Sequence, residues 1–286
     1  MASFLCRVSV SSVSPWVNSE KGFSMHESVV LRKLRAGEAV WCAKTNLTDP
    51  NVIEIMGHLG IHCVWLDLEH VPIDVQTVHH QVRTAKMMGM DSLVRVSKGS
   101  YSDLIRPLEM DATGIMVPHC MDGAEAKQIA RTAKFQPLGL RPWDGGNSDG
   151  PFCLRGTEEY HAFANAQRFL IVQIEDKEAV DNMEAIIATP GIDAVFLGPA
   201  DLTHSYGIPG QVEHPLIKSA IDRMAALCRK HGKHWGLPCP PHKAPEMLEK
   251  GARILAAGAD VIAIAENFRG LREGFRAAGL KIESRY

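Results

Sequence analysis

Between residue 39 and the end of the chain, short apolar runs alternate eight times with amphipathic helical stretches, and this alternation limits the fold more than any other feature. The candidate strands are residues 39–42, 62–66, 92–96, 114–117, 169–174, 193–197, 234–237 and 260–265. Continuous apolar and β-branched runs such as 169–174 read as strands buried on both faces, the pattern of a parallel sheet covered by helices. The helices carry their own start signals. Asp74 precedes Val75, Val78, Val82 and Ala85, and Asp122 with Glu125 forms a capping box ahead of Ala126, Ile129, Ala130 and Ala133. Met247, Leu248, Gly251, Ile254 and Leu255 read as one more helix, and Phe268, Leu271 and Phe275 as the stripe of the last. Eight repeats in about 250 residues predict an α/β fold of one domain, a (β/α)8 TIM barrel. An open doubly wound sheet would want a glycine-rich phosphate turn after its first strand, where this chain has Lys44-Thr45-Asn46-Leu47.

Two stretches break the rhythm. Residues 1–24 hold seven serines, three charged residues (Arg7, Glu20 and Lys21) and no helical period, so they are expected to form an irregular leader ahead of a barrel spanning 25–286. They lack the apolar core of a secretory signal and the arginines of a transit peptide. Residues 142–156, with four glycines and two prolines, are expected to be a loop after the fourth repeat, on the edge where active sites are built, and to serve as a lid.

Composition excludes several classes. A chain 45% hydrophobic and 22% charged is not disordered, and a net charge of -2 gives no field to draw nucleic acid or anionic membrane. No apolar run approaches the roughly 20 residues needed to cross a bilayer. The seven cysteines are scattered singly without a Cys-x-x-Cys pair, which reads as reduced thiols of a cytoplasmic protein.

The chemistry gathers at strand ends. The runs 169–174 and 193–197 each end near a carboxylate, Glu175 and Asp201, and parallel strands put both on one edge of the sheet. Two carboxylates that close repel unless a cation lies between them, so an oxygen-preferring divalent ion is expected there; two solvated loop carboxylates are the alternative. The same edge gathers Asp67-Leu68-Glu69-His70, Arg95 and Pro118-His119, whereas the other reads Leu59-Gly60, Met90-Asp91 and Pro190-Gly191. Trp41 and Lys44, at the end of the first strand, are further pocket candidates. His119 reads as structural. Arg141 should stand near the mouth, paired with an acidic loop residue or binding substrate.

Trp-Leu-Asp-Leu-Glu-His (65–70), Val-Arg-Val (94–96), Gly-Ile-Met-Val-Pro (114–118), Pro-Leu-Gly-Leu-Arg (137–141), Gln-Ile-Glu (173–175) and Gly-Pro-Ala-Asp-Leu (198–202) resemble the metal-dependent 2-keto-acid aldolases. These are the 4-hydroxy-2-oxoheptanedioate and 2-keto-3-deoxy sugar acid aldolases of the citrate lyase β-subunit and phosphoenolpyruvate-binding barrel group. The resemblance implies a lyase that reversibly cleaves a 4-hydroxy-2-keto acid to pyruvate and an aldehyde through a metal-stabilised pyruvate enolate. It implies Mg2+, or Mn2+ or Co2+, on Glu175 and Asp201. The substrate carboxylate would lie on the backbone of Gly198, Pro199, Ala200 and Asp201, near Gln173. Arg95 would face the ketone oxygen, and His70 would be the base for the 4-hydroxyl. Glu109 stands where relatives carry an aspartate that raises the histidine's basicity, with Asp111 two residues on as the other choice, and Asp67 would orient a metal-bound water. The resemblance also implies a homo-oligomer, a dimer, trimer or hexamer exchanging the last helix. Specificity would reside in 142–156 and in loops of a neighbouring subunit. Other readings are a pyruvate-enolate lyase of another kind, such as an oxaloacetate decarboxylase, a Schiff base on Lys44, and a barrel without catalysis.

Overall fold

The computed structural model describes residues 25–283; the expected leader lies outside them. Helix α1 spans Val29–Arg35. The first four strands, each with its helix, are β1 Val40–Lys44 and α2 Pro50–His58, β2 Cys63–Asp67 and α3 Val75–Met87, β3 Asp91–Arg95 and α4 Tyr101–Glu109, β4 Gly114–Val117 and α5 Gly123–Ala133. Helix α6, Thr157–Gln167, then leads into β5 Phe169–Ile174, followed by α7 Lys177–Asp181, α8 Met183–Ile187 and β6 Ala194–Leu197. The rest is α9 Pro199–Ser205, α10 Pro215–His231, β7 His234–Pro238, α11 Ala244–Glu249, β8 Ile254–Ala259 and α12 Asp260–Ala277. All eight strands are parallel, each pairs with its neighbours in chain order, and β8 closes on β1. The chain is the expected (β/α)8 barrel. Among the described residues no helix is long and apolar enough to cross a membrane.

The two-residue period of a strand divides each one between two cores. Val40, Cys42, Cys63, Trp65, Leu93, Met116, Ile171 and Phe196 fill the barrel's inside. Ala43, Val64, Leu66, Val94, Ile115, Val172 and Val195 face outward onto the helices. Val30, Leu31 and Leu34 of α1 join the inner cluster and stopper the amino-terminal end, where Ser28 Oγ and Val30 N donate to the buried Asp91 at 2.6 and 2.8 Å.

Three expectations on topology need correction. The eighth strand is Ile254–Ala259, and residues 260–265 open α12 instead. Gly251, at φ 97°, ends α11 early, so Ile254 and Leu255, expected on a helix, are strand residues paired with Val40 and Trp41. Second, the 142–156 insertion follows the fourth repeat as expected, but that repeat closes with α5, so the insertion is not on the catalytic edge. Helices run back against the strands, so it lies on the edge where strands begin, away from the strand ends. There Arg141, 5% exposed, pairs with Asp149 at 2.6 Å, and Tyr160 Oη donates to the same carboxylate at 2.5 Å. Third, Arg141 has the acidic loop partner expected as one of its two roles, Asp149, but within that insertion's buried anchor and not at the mouth.

Candidate active site

Inward parity brings Lys44, Asp67 and Arg95, the last residues of β1, β2 and β3, to one level above the inner core. Arg95 donates through Nε to Asp67 Oδ1 at 2.9 Å and through Nη2 to Asp67 Oδ2 at 2.6 Å. Lys44 Nζ reaches Asp67 Oδ2 at 2.7 Å, and the backbone N–H of Glu69 donates to Oδ1 at 3.1 Å. Asp67 is fully buried, which works to raise its pKa, but the two cations outweigh burial and hold the carboxyl well below its usual range. The indole of Trp65 forms the floor, with the Arg95 guanidinium carbon 4.9 Å from the ring centroid and Lys44 Nζ 5.8 Å away. A carboxylate bonded in this way fixes Arg95 and Lys44.

Glu175 stands just past β5, 1% exposed. His119 N donates to its Oε1 and Gln173 Nε2 to its Oε2, both at 2.9 Å. Its Oε2 packs so tightly on Gly198 that a Cβ added there would lie 2.1 Å away. Burial pushes the Glu175 carboxyl up to about 7; the carboxylates of Asp201 and Glu69 push the same way, against the His119 amide and ring. Asp201, in the first turn of α9, is thus within electrostatic reach of Glu175. The Gly198 N–H is spent on Ile174 O at 3.2 Å and Pro199 has none, which leaves Ala200 and Asp201 as the backbone donors of the four residues expected to hold a carboxylate.

Glu69 and His119 complete the ring. Glu69 Oε2 lies 3.0 Å from Arg95 Nη1, and Glu69 Oε1 is 3.7 Å from His119 Nε2. His119 Nδ1 bonds Asp176 Oδ2 at 2.8 Å and lies 3.7 Å from Glu175 Oε1. Burial alone would lower the imidazole pKa, but Asp176, Glu175 and Glu69 together raise it. His119, expected to be structural, is therefore in the site. Parity alone turns it outward; its backbone at φ 50° brings it back in. Glu69 and Asp176 were not singled out from the sequence, although Glu69 shares inward parity with Trp65 and Asp67.

Other expected residues lie elsewhere. His70 is on the rim, its side chain 58% exposed, with Nε2 3.6 Å from Glu69 Oε2. Trp41 is out of phase with Val40, Cys42 and Lys44, so it faces the outside of the barrel, where Nε1 donates to Ala257 O at 2.9 Å. It lines no strand-end pocket within this chain. Glu109 closes α4 on the amino-terminal edge, the opposite edge from His70. Burial raises its pKa, Arg141 lowers it, and Asp149 and Asp144 raise it further. Asp111 shares that edge, bonded to Arg168 and Lys86. Neither acid reaches His70 of its own chain.

A closed parallel barrel with a guanidinium, an ammonium and carboxylates gathered at its strand ends has the arrangement of a barrel enzyme, with ionisable groups on the edge where such barrels carry their sites. The chain belongs to the HpcH/HpaI aldolase/citrate lyase family, whose model matches residues 42–266. It is similar to the 5-keto-4-deoxy-D-glucarate aldolase of Klebsiella pneumoniae, 33% identical over 82% of this chain and 91% of that protein. Among solved structures, the HpcH/HpaI aldolase of Desulfitobacterium hafniense superposes with a TM-score of 0.81 at 29% identity, over 86% of this chain and 95% of that one. The citrate synthase SbnG superposes with a TM-score of 0.80 at 27% identity, over 87% and 98%.

Proposed function

We propose that the protein is a carbon–carbon lyase that reversibly cleaves a 4-hydroxy-2-keto acid to pyruvate and an aldehyde, with a divalent cation on Glu175 and Asp201. The observation that carries this reading is that Glu175, buried past the end of β5, is within electrostatic reach of both Asp201, in the first turn of α9, and Arg95, at the end of β3. The residues present fit a cation. Glu175 is buried with its pKa raised, a condition that a bound positive charge reverses. The neighbouring Gln173 Oε1 is buried without a hydrogen-bond partner. Among the described residues no three His, Cys, Asp or Glu side chains converge on one point suited to an ion. A cation on Glu175 and Asp201 alone would keep positions for substrate oxygens, which suits Mg2+, Mn2+ or Co2+.

The ion would supply Lewis-acid polarisation of the substrate ketone. The remaining work falls to this chain. The first-turn amides of α9 and Gln173 orient the keto-acid end. Arg95, locked by Asp67 and Glu69, presents a fixed guanidinium to the oxygen on which negative charge develops as the C3–C4 bond breaks. His70 on the rim takes the proton of the 4-hydroxyl. His70→Ala should depress cleavage by roughly 100- to 10,000-fold, with metal affinity kept.

Lys44 favours this reading over a Schiff base, because its ammonium is held against Asp67. A family likeness that extends to a citrate synthase supports a second reading, addition of the enolate to another acceptor. Pyruvate, Mg2+ and a panel of aldehydes, with products resolved by mass, separates the two. A 4-hydroxy-2-keto acid product carries the aldolase reading; pyruvate consumed only with a keto-acid acceptor, or no aldol product from any aldehyde while added oxaloacetate is split to carbon dioxide and pyruvate, overturns it.

Assembly is part of the proposal. Of the 18 residues of α12 only Asp260 is buried, and Val261, Ile262, Ile264, Phe268, Leu271 and Phe275 are exposed. An apolar stripe of that length calls for a second copy, and the exposed Trp41 beside β8 marks an outer face for a neighbour's helix to cover. We read the protein as a homo-oligomer that exchanges α12. Its six described cysteines are free thiols, in keeping with a cytoplasmic setting.

A further inference from the structure

The seam where β8 meets β1 is irregular at the catalytic end. The ladder runs Val40 with Ile254, Trp41 with Leu255 and Cys42 with Ala256, then skips a residue to pair Lys44 with Ala259. The extra residue is accommodated around Gly258, at φ 87°, a backbone conformation that side chains other than glycine rarely adopt. A bulge at a barrel rim re-aims whatever follows it, and here that is Asp260. Its side chain, on a residue 6% exposed, turns back across the seam. Thr45 Oγ1 donates to its Oδ2 at 2.5 Å, Leu47 N to Oδ2 at 2.9 Å and Asn46 N to Oδ1 at 2.9 Å. Three successive residues after Lys44 are thus tied to one carboxylate. Gln81, fully buried on α3, adds a fourth tie through Nε2 to Leu47 O at 2.9 Å.

We propose that Asp260 is a positioning residue of the active site: by fixing residues 45–47 it holds Lys44 at the end of β1, and through the Lys44–Asp67 pair it holds Arg95. The connection is continuous on bonded contacts. Asp260 grips the loop, Lys44 Nζ stands 2.7 Å from Asp67 Oδ2, and Asp67 takes two bonds from Arg95. Asp260 touches none of the carboxylates assigned to the cation and acts only through this path. Its catalytic part rests on the aldolase reading, in which Arg95 faces the developing charge.

The test is a double-mutant cycle of Asp260→Ala with Lys44→Met, read as kcat and KM for cleavage per folded active site, with a crystal structure of the Asp260→Ala protein. Asp260→Asn, which keeps the shape and a carbonyl acceptor, serves if the alanine variant folds poorly. In the parent background kcat should fall on the order of 10- to 100-fold, the cost of a small misplacement of a catalytic group. In the Lys44→Met background the same substitution should cost less than about twofold, because the path is already cut. In the crystal Lys44 Nζ should have left Asp67. An equal loss in both backgrounds, or lost thermal stability with kcat unchanged, overturns the proposal. If the parent enzyme fails to act on pyruvate adducts, the aldolase reading falls, and the Lys44–Asp67 distance in the variant still decides whether Asp260 positions the pair.

Discussion

Arg95 and Asp67 illustrate how a buried ion pair serves chemistry at some risk to stability. Two cations share one fully buried carboxylate, so removing Asp67 leaves both without their main partner. Asp67→Asn should cost roughly 3–5 kcal/mol, the range for breaking a buried pair. The sign with pH follows from the depressed pKa. Asp67 stabilises the fold fully above the usual carboxylate range, and that contribution is lost as pH falls through its lower folded value. Urea unfolding of parent and variant should therefore differ by a constant amount near neutrality and converge only below about pH 4. Arg95→Lys keeps a charge and loses the planar fork, so turnover should drop on the order of 100-fold or more with metal affinity preserved in calorimetry. A lysine variant with near-normal turnover would reduce Arg95 to a structural partner. At this scale the sequence was legible wherever strand parity held. Arg95 ends β3, Glu175 stands just past β5 and Asp201 lies in the first turn of α9, all on the edge read from the sequence. Trp41 differs from the pocket expectation by one residue of parity, Glu69 has the right parity and edge but no role legible in the sequence, and His119 owes its place to a left-handed turn that composition does not announce.

At the scale of elements the difficulty lies in apolar runs that suit either period. Ile254-Leu255-Ala256-Ala257 continues the spacing of Met247 and Leu248, so it reads as helix, and only Gly251 and Gly258 mark it as the strand. The insertion was read on the catalytic edge because a long polar loop invites that assignment; its position after a helix decides otherwise, and its buried Arg141–Asp149–Tyr160 cluster is invisible to pattern. Helix α12 buries only Asp260 against its own chain, and the proposed exchange of this helix is open to a direct test. Leu271→Asp with Phe268→Asp places two charges in its apolar stripe and should shift the particle to a smaller species in sedimentation velocity, with the barrel's circular dichroism retained. An unchanged sedimentation coefficient would show that α12 takes no part in assembly.

For the molecule as a whole, eight alternations sufficed to predict the closed barrel, because parallel strands joined by helices can bury both faces in few other ways. Which edge carries the chemistry followed from where ionisable residues gather. How the groups bond one another is not legible in sequence: that Asp67 clamps Arg95 through both of its oxygens is a matter of distances. The central claim is that pyruvate chemistry here depends on a cation between Glu175 and Asp201. Exchange of pyruvate methyl protons in deuterated water, followed by proton NMR, tests it without need of the aldehyde. Exchange is expected with Mg2+, lost in excess EDTA, restored by Mg2+, Mn2+ or Co2+, and absent with Glu175→Ala under any of these. Exchange undiminished by EDTA, together with a borohydride-trapped pyruvate adduct on Lys44, would contradict it.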